Sequence, residues 1–299
     1  MTDTFIYRQS PPPLLPMYAR AVLPKPAGSH DTPIPALSAR LLGVATNTRG
    51  LNSYRKTCQF SNSSQVPLTW PHILAFPLHL KLLTDARFPL PLLGLVHLSN
   101  SITQHREIAA GENLDIHVRL GNQQRTRRGI EFDLITEVYS SGRLVWEEAS
   151  VTLFRQPEKN PGGDQPRARP PELPSFPNTL EIRAPENTGR RYAAVSGDRN
   201  PIHLHALTAK AFGFPRAIAH GMWSLARSVA LLEQQEGWKP GAMRVECQFR
   251  KPLLLPGKAR LNWQSGASGM DYQLLNEQGD APCLNGQIHW LYPSGRNGG

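Results

Sequence analysis

Twice along this 299-residue chain, a stretch with helical apolar spacing is followed by a run of strand-like segments. In the first half, Ile73, Phe76, Leu80 and Leu83 mark one face of a helix that Pro71 opens and that runs to about Thr84; Pro77 is expected to kink or divide it. Alternating segments follow at Val96, Leu98 and Ile102, at Leu114, Ile116, Val118 and Leu120, at Ile130, Phe132 and Leu134, and at Ala149, Val151 and Leu153. In the second half, Met222, Leu225, Ala226, Val229 and Leu232 keep helical spacing, in a helix expected to end near Gly237. Met243, Val245, Cys247 and Phe249 then alternate, as do Ala259, Leu261 and Trp263, then Tyr272 and Leu274, then Leu284, Ile288 and Trp290. A helix with one apolar stripe and a sheet with one apolar face can bury each other. The pattern predicts an α+β chain in which an antiparallel sheet wraps a long helix, twice over.

Proline marks the boundaries. Residues 1–35 are proline-rich and poorly periodic, and read as an arm on the surface. Residues 156–179 hold seven prolines and read as an extended linker. That leaves residues 36–155 and 180–299 as the two modules.

Composition narrows the function. The 33 basic and 23 acidic residues give a net charge of +10, which favours anionic partners. The basic residues are scattered and no nucleic-acid motif gathers them, so a nucleic-acid partner is not expected. Cys58, Cys247 and Cys283 are far apart, with neither metal spacing nor a disulfide framework, which fits a reducing, cytoplasmic setting. The N-terminus lacks the basic start and apolar run of a signal peptide, and no apolar run approaches the ~20 residues a membrane-spanning helix needs. No phosphate-binding loop, dinucleotide fingerprint, zinc-protease motif or nucleophile elbow is present, and no cofactor or metal is implied.

The chemistry concentrates between Arg191 and Leu225. There, Asp198 stands five residues before His203, with Asn200 and Pro201 between them. Asn is a good helix cap and Pro fits a first helical position, so the chain should loop after Gly197 and present His203 on one short turn. A carboxylate and an imidazole aimed at one point can hold a water molecule and move its proton. Seventeen residues after His203 come His220, Gly221 and Met222, at the start of the second long helix. Gly221 then offers an unpaired backbone N–H with no side chain over it, a donor suited to a carbonyl oxygen gaining charge. Each role has a structural counterpart. Asp198 and Asn200 can serve as caps, Ser196 and Tyr192 as packing and loop-bonding residues, Gly221 as a close-packing site, and His203, His205 and His220 as solvated or backbone-bonded histidines.

The run Y-A-A-V-S-G-D-R-N-P-I-H, then A-F-G-F, then I-A-H-G-M resembles the hydratase signature of the MaoC-like family, the (R)-specific enoyl-CoA hydratases and acyl dehydratases of hot-dog fold. The likeness covers roughly residues 181–291; the first half resembles the family only in outline and has no D-x-N-P-x-H. The resemblance implies a double hot-dog fold, with a non-catalytic first module helping to form the acyl pocket and one active site in the second. It implies a hydro-lyase that reversibly hydrates trans-2-enoyl thioesters to (R)-3-hydroxyacyl thioesters. Asp198 and His203 would hold the water and Gly221 would supply the oxyanion donor. Ser196, Asn200, Arg250 and Lys251 would lie on the substrate side, meeting an acyl-CoA or acyl-carrier-protein thioester, and two chains would be able to pair. A non-catalytic acyl-thioester binder and a hot-dog thioesterase stay as alternatives. Intact Asp198 and His203 weigh against the binder; a thioesterase needs a carboxylate aimed at the thioester carbon.

Overall fold

A computed structural model describes residues 3–21, 33–46, 49–156 and 173–291. In chain order the elements are β1 (Asp3–Arg8), α1 (Leu14–Ala21), β2 (Leu37–Ala45), α2 (Arg49–Cys58), α3 (Trp70–Leu83), β3 (Leu95–Gln104), β4 (Asn113–Thr126), β5 (Gly129–Ser140) and β6 (Arg143–Arg155). Then follow β7 (Asn178–Ala184), α4 (Thr188–Ser196), a one-turn 3-10 helix (Pro201–His203), α5 (Ala206–Ala211), α6 (Gly221–Leu232), β8 (Met243–Phe249), β9 (Gly257–Ser265), β10 (Gly269–Asn276) and β11 (Pro282–Trp290).

All the strands join one sheet, in the order β1-β2-β4-β5-β6-β3-β8-β11-β10-β9-β7. Remove β1 and the order reads the same from either end. β2, β3, β4, β5 and β6 take the places in the first half that β7, β8, β9, β10 and β11 take in the second. The halves meet at the antiparallel pair β3–β8, from Ser99 opposite Gln248 to Gln104 opposite Met243. This is the double hot-dog architecture, one helix per half held against the curved sheet. Each central helix is buried almost all round, with Ala75, Leu78 and Leu82 at 0 % exposure in α3 and Leu225, Ala226, Ala230 and Leu232 likewise in α6. Turns fall where expected. Ser141 and Gly142 take left-handed conformations between β5 and β6, and Asn276 Oδ1 accepts the N–H groups of Gly279, Asp280 and Ala281.

Four local expectations change. Pro77 does not divide α3, which runs unbroken from Trp70 to Leu83 in its packed surroundings. The second helix ends at Leu232, short of Gly237. The side-chain amides of Gln234 and Gln235 donate to the carbonyls of Ala230 and Leu231, closing the last turn before the glycine is reached. On β6 the core face carries Trp146, Glu148, Ser150 and Thr152, while Ala149 and Val151 lie half-buried on the other face. The polar residues are tolerated inside because they find partners there. The proline-rich arm is also more than a surface strip: β1 adds in parallel to β2, and α1 packs inward through Met17. Residues 157–172, most of the expected linker, lie outside the described residues.

Candidate active site

Sequence dictates the site's shape at Gly197. It caps α4 in a left-handed conformation, φ +80°, with its N–H donating to Ala193 O at 3.0 Å. A Cβ there would also stand 2.7 Å from Leu14 Cδ1, so only glycine fits. The chain then doubles back. Asp198 N–H donates to Ser196 Oγ at 3.1 Å, and Asn200 N–H donates to Asp198 Oδ1 at 3.1 Å. Asn200 Oδ1 accepts from Ile202 N–H at 3.4 Å, capping the one-turn helix that Pro201 begins and His203 ends.

His203 is buried, and its Nδ1 lies 2.8 Å from Ile218 O. A carbonyl only accepts, so Nδ1 carries the proton, and in the neutral ring Nε2 keeps its lone pair. Burial holds the His203 pKa below the usual imidazole value, against the opposing pull of Asp198 and the Ile218 carbonyl. Burial works against the Asp198 charge, yet His220, His203, the Asn200 N–H and His72 outweigh it and keep the carboxyl below its usual value. Near neutral pH the site therefore presents a carboxylate and a free imidazole lone pair. One ligand-type atom from each of Asp198, His203 and His220 lies within 4.8 Å of the other two. Two acceptors so placed can both accept from one water molecule and take up its proton. The three groups are also of metal-ligating type, but each imidazole commits one nitrogen to a backbone carbonyl.

His220 belongs to this cluster more closely than its sequence position suggested. Its Nε2 donates to Asp198 O at 3.0 Å and lies 3.8 Å from Asp198 Oδ2. Its ring stacks on His203, centroids 3.7 Å apart and planes 26° apart. Burial, with His203 beside it, pushes its pKa down to about 3, so it acts as a neutral donor and a flat support. Gly221 follows as the first residue of α6, its N–H at the helix's open end. A Cβ on Gly221 would meet Phe249 Cε1 at 2.9 Å, so the Phe249 ring explains why glycine is there. Arg250 and Lys251 come next in the chain, on an exposed turn. Arg250 bonds to Gln248, and no hydrogen bond or ion pair among the described residues ties either side chain to Asp198 or His203.

A second polar group lies inside the first module. His72 Nδ1 meets Glu148 Oε1 at 2.8 Å; Asn100 Nδ2 donates to Glu148 Oε1 at 2.6 Å and to Ser150 Oγ at 2.9 Å. Burial opposes charge on both members of the pair, but each stabilises the other. His72 is raised above the usual value and Glu148 is held down to about 2. Nearby His79, bonded to Thr136 Oγ1 at 2.8 Å, is pushed by burial down to about 3, and His97 to about 4.

These shifts predict the pH dependence of stability. In the unfolded chain each histidine titrates near 6.5, whereas burial lowers His79, His97, His203 and His220 in the folded chain. Below that pH the unfolded state binds more protons, and stability falls with acidification. His72 acts oppositely: its contribution is complete below 6.5 and is lost as pH rises through its raised folded value. The four lowered histidines outweigh the raised His72 and the Glu233 carboxyl, which burial pushes up to about 7. The melting temperature should drop by more than about 5 °C between pH 7 and pH 5. A calorimetric scan with a flat or rising profile over that range would contradict these assignments.

Comparison with known proteins gives the family. The profile described as "MaoC like domain" matches residues 164–269. The chain is 38% identical over 229 residues to the 3-hydroxyacyl-thioester dehydratase X of Mycobacterium tuberculosis, covering 76% of this chain and 80% of that one. The chain belongs to the MaoC-like dehydratase family. A crystal structure of that mycobacterial protein, HtdX, superposes with a TM-score of 0.73 at 33% identity, covering 85% of this chain and 100% of that one. A MaoC-like dehydratase from Phytophthora capsici shares the fold, with a TM-score of 0.67 at 16% identity over 87% of this chain and 96% of that one. The peroxisomal multifunctional enzyme type 2 of Drosophila melanogaster is 31% identical over 134 residues, 42% of this chain and 22% of that larger protein. Among the described residues, no helix is long and apolar enough to cross a membrane.

Proposed function

We propose that this MaoC-like protein is a cofactor-free hydro-lyase that interconverts trans-2-enoyl and (R)-3-hydroxyacyl thioesters. The observation that carries the reading is the convergence of the ionised Asp198 with a His203 whose Nδ1–H is tied to Ile218, which leaves Nε2 to accept. In hydration, a water held between the two acceptors adds its hydroxyl to Cβ, and its proton passes to Cα on the same face. Dehydration reverses the steps. Charge that builds on the thioester oxygen meets the N–H of Gly221 at the start of α6. Family membership, and the name of the mycobacterial relative, support a thioester substrate.

In this reading, residues 180–299 form the catalytic module and residues 36–155 a non-catalytic partner module that helps to enclose the acyl chain, with 156–179 as their linker. Ser196 and Asn200 shape the Asp198 loop beside the substrate. Arg250 and Lys251 lie one and two residues beyond Phe249, placed to meet CoA or carrier-protein phosphates.

A spectrophotometric assay with crotonyl-CoA and longer enoyl-CoAs tests the reaction class. Loss of the conjugated enoyl absorbance without thiol release is expected; thiol release would make the protein a thioesterase, and neither change would make it a binder. Gly221 has its own test. Gly221→Val drives a branched side chain into the Phe249 ring and should cut kcat by roughly 10²–10³ through a displaced oxyanion donor. A rate within twofold of the parent would remove Gly221 from the mechanism.

A further inference from the structure

The N-terminal arm has no part in the family signature, yet it touches the Asp198 loop directly. Tyr18, on α1, donates its hydroxyl proton to Gly197 O at 2.6 Å. The Tyr18 hydroxyl oxygen in turn accepts from Arg199 N–H at 2.8 Å. Those two backbone groups flank Asp198 on either side, so a single hydroxyl brackets the residue from behind. One turn earlier on α1, Leu14 lies against Gly197, close enough that a Cβ there would be 2.7 Å from Leu14 Cδ1. The same Cβ would be 3.4 Å from Cδ1 of Phe76 on α3. The turn that carries Asp198 thus lies against both the arm and the central helix of the first module.

The arm is itself anchored. β1 pairs in parallel with β2 from Asp3 opposite Leu37 to Arg8 opposite Leu42. Asp3 forms an ion pair with Arg87, and Lys81 at the end of α3 sits 3.9 Å from the centre of the Phe5 ring. Residues 3–8 therefore grip the first module while residues 14–18 grip the loop of the second.

We infer that the N-terminal arm is a strap, and that Tyr18 is a positioning residue that holds the Gly197–Asn200 turn in the conformation the reaction requires. The kinetic half of this inference rests on the hydro-lyase reading; the mechanical half does not. Asp198 must face the water with its carboxylate, and a side chain misplaced by about 1 Å can lose on the order of a hundredfold in rate. The turn's internal bonds are few and join residues two apart, from Asp198 N–H to Ser196 and from Asn200 N–H to Asp198. From outside the turn, His220 Nε2 holds Asp198 O, and the Tyr18 hydroxyl adds two bonds on either side of that residue, which fix the turn against the arm.

The test is Tyr18→Phe in the full-length chain, which keeps the ring and deletes both bonds. Leu15→Ala serves as the control, since Leu15 is on the same helix and 82% exposed. Two readouts are taken: hydrogen–deuterium exchange at the Arg199 amide, and kcat and KM with crotonyl-CoA. The expected result for Tyr18→Phe is at least tenfold faster exchange at Arg199, unchanged exchange in the β3–β8 pair, a kcat lower by roughly tenfold or more and a KM within twofold. Leu15→Ala should match the parent in both readouts. Unchanged exchange at Arg199 overturns the strap. An active enzyme whose Tyr18→Phe variant keeps its kcat, or loses kcat only together with sheet protection, overturns the positioning role. If the parent protein shows no hydratase activity but Tyr18→Phe still frees the Arg199 amide, the hydro-lyase reading falls and the strap stands.

Discussion

Asp198→Asn should lower kcat for enoyl-thioester hydration by at least about 10³, within the range that acid/base groups contribute, and His203→Ala should do the same. Asn at position 198 keeps the oxygen that accepts Asn200 N–H but has no charge to polarise water. Alanine at 203 removes Nε2 and the anchor to Ile218 O together. Neither change should unfold the protein, because both side chains sit on a loop and a single turn outside the two packed helices. The double variant should be hardly slower than either single one, since the two groups act on the same water. Near-parent rates in both variants would refute the assignment.

Glu148→Ala should destabilise the fold by about 3–5 kcal/mol, the cost of stranding one member of a buried ion pair. Glu148 is 2% exposed and serves His72 and Asn100 at once. Removing it leaves His72 without the charge that keeps it protonated and leaves one hydrogen bond of Asn100 Nδ2 unmade. His72→Ala added to Glu148→Ala should cost less than His72→Ala in the parent, because the pair is already broken. Glu148→Gln keeps the shape and an acceptor and should cost less than alanine. Equal costs for glutamine and alanine, read from denaturant unfolding, would mean the charge pair contributes nothing.

The fold was legible because the pattern repeats. Leu114, Ile116, Val118 and Leu120 all point inward on β4, as their alternation says, and Leu225, Val229 and Leu232 mark the buried stripe of α6. β6 was misread because its core face is polar where Glu148, Ser150 and Thr152 sit. Alternation of apolar residues selects the wrong face when the interior holds a satisfied polar network. The Asp198 loop was legible from Gly197, Asn200 and Pro201, each with a conformational reason for its place. What lay beyond sequence was contact across distance. Tyr18 is 179 residues from Gly197, and no local spacing announces their bond. Phe249 over Gly221 and His220 beneath His203 are likewise products of packing. A tyrosine in a proline-rich arm, and the acids Glu147 and Glu148 in an otherwise apolar strand, were the faint signals available.

The most direct measurement uses the parent enzyme with a trans-2-enoyl-CoA in D2O, reading the configuration at C3 and the position of the deuterium at C2 in the product. One water held between Asp198 and His203 on one face of the double bond predicts hydroxyl and deuterium added to the same face, and the proposed (R)-specific hydro-lyase predicts the (3R) configuration. A (3S) product, addition across opposite faces, or free CoA in place of a hydroxyacyl thioester would contradict it.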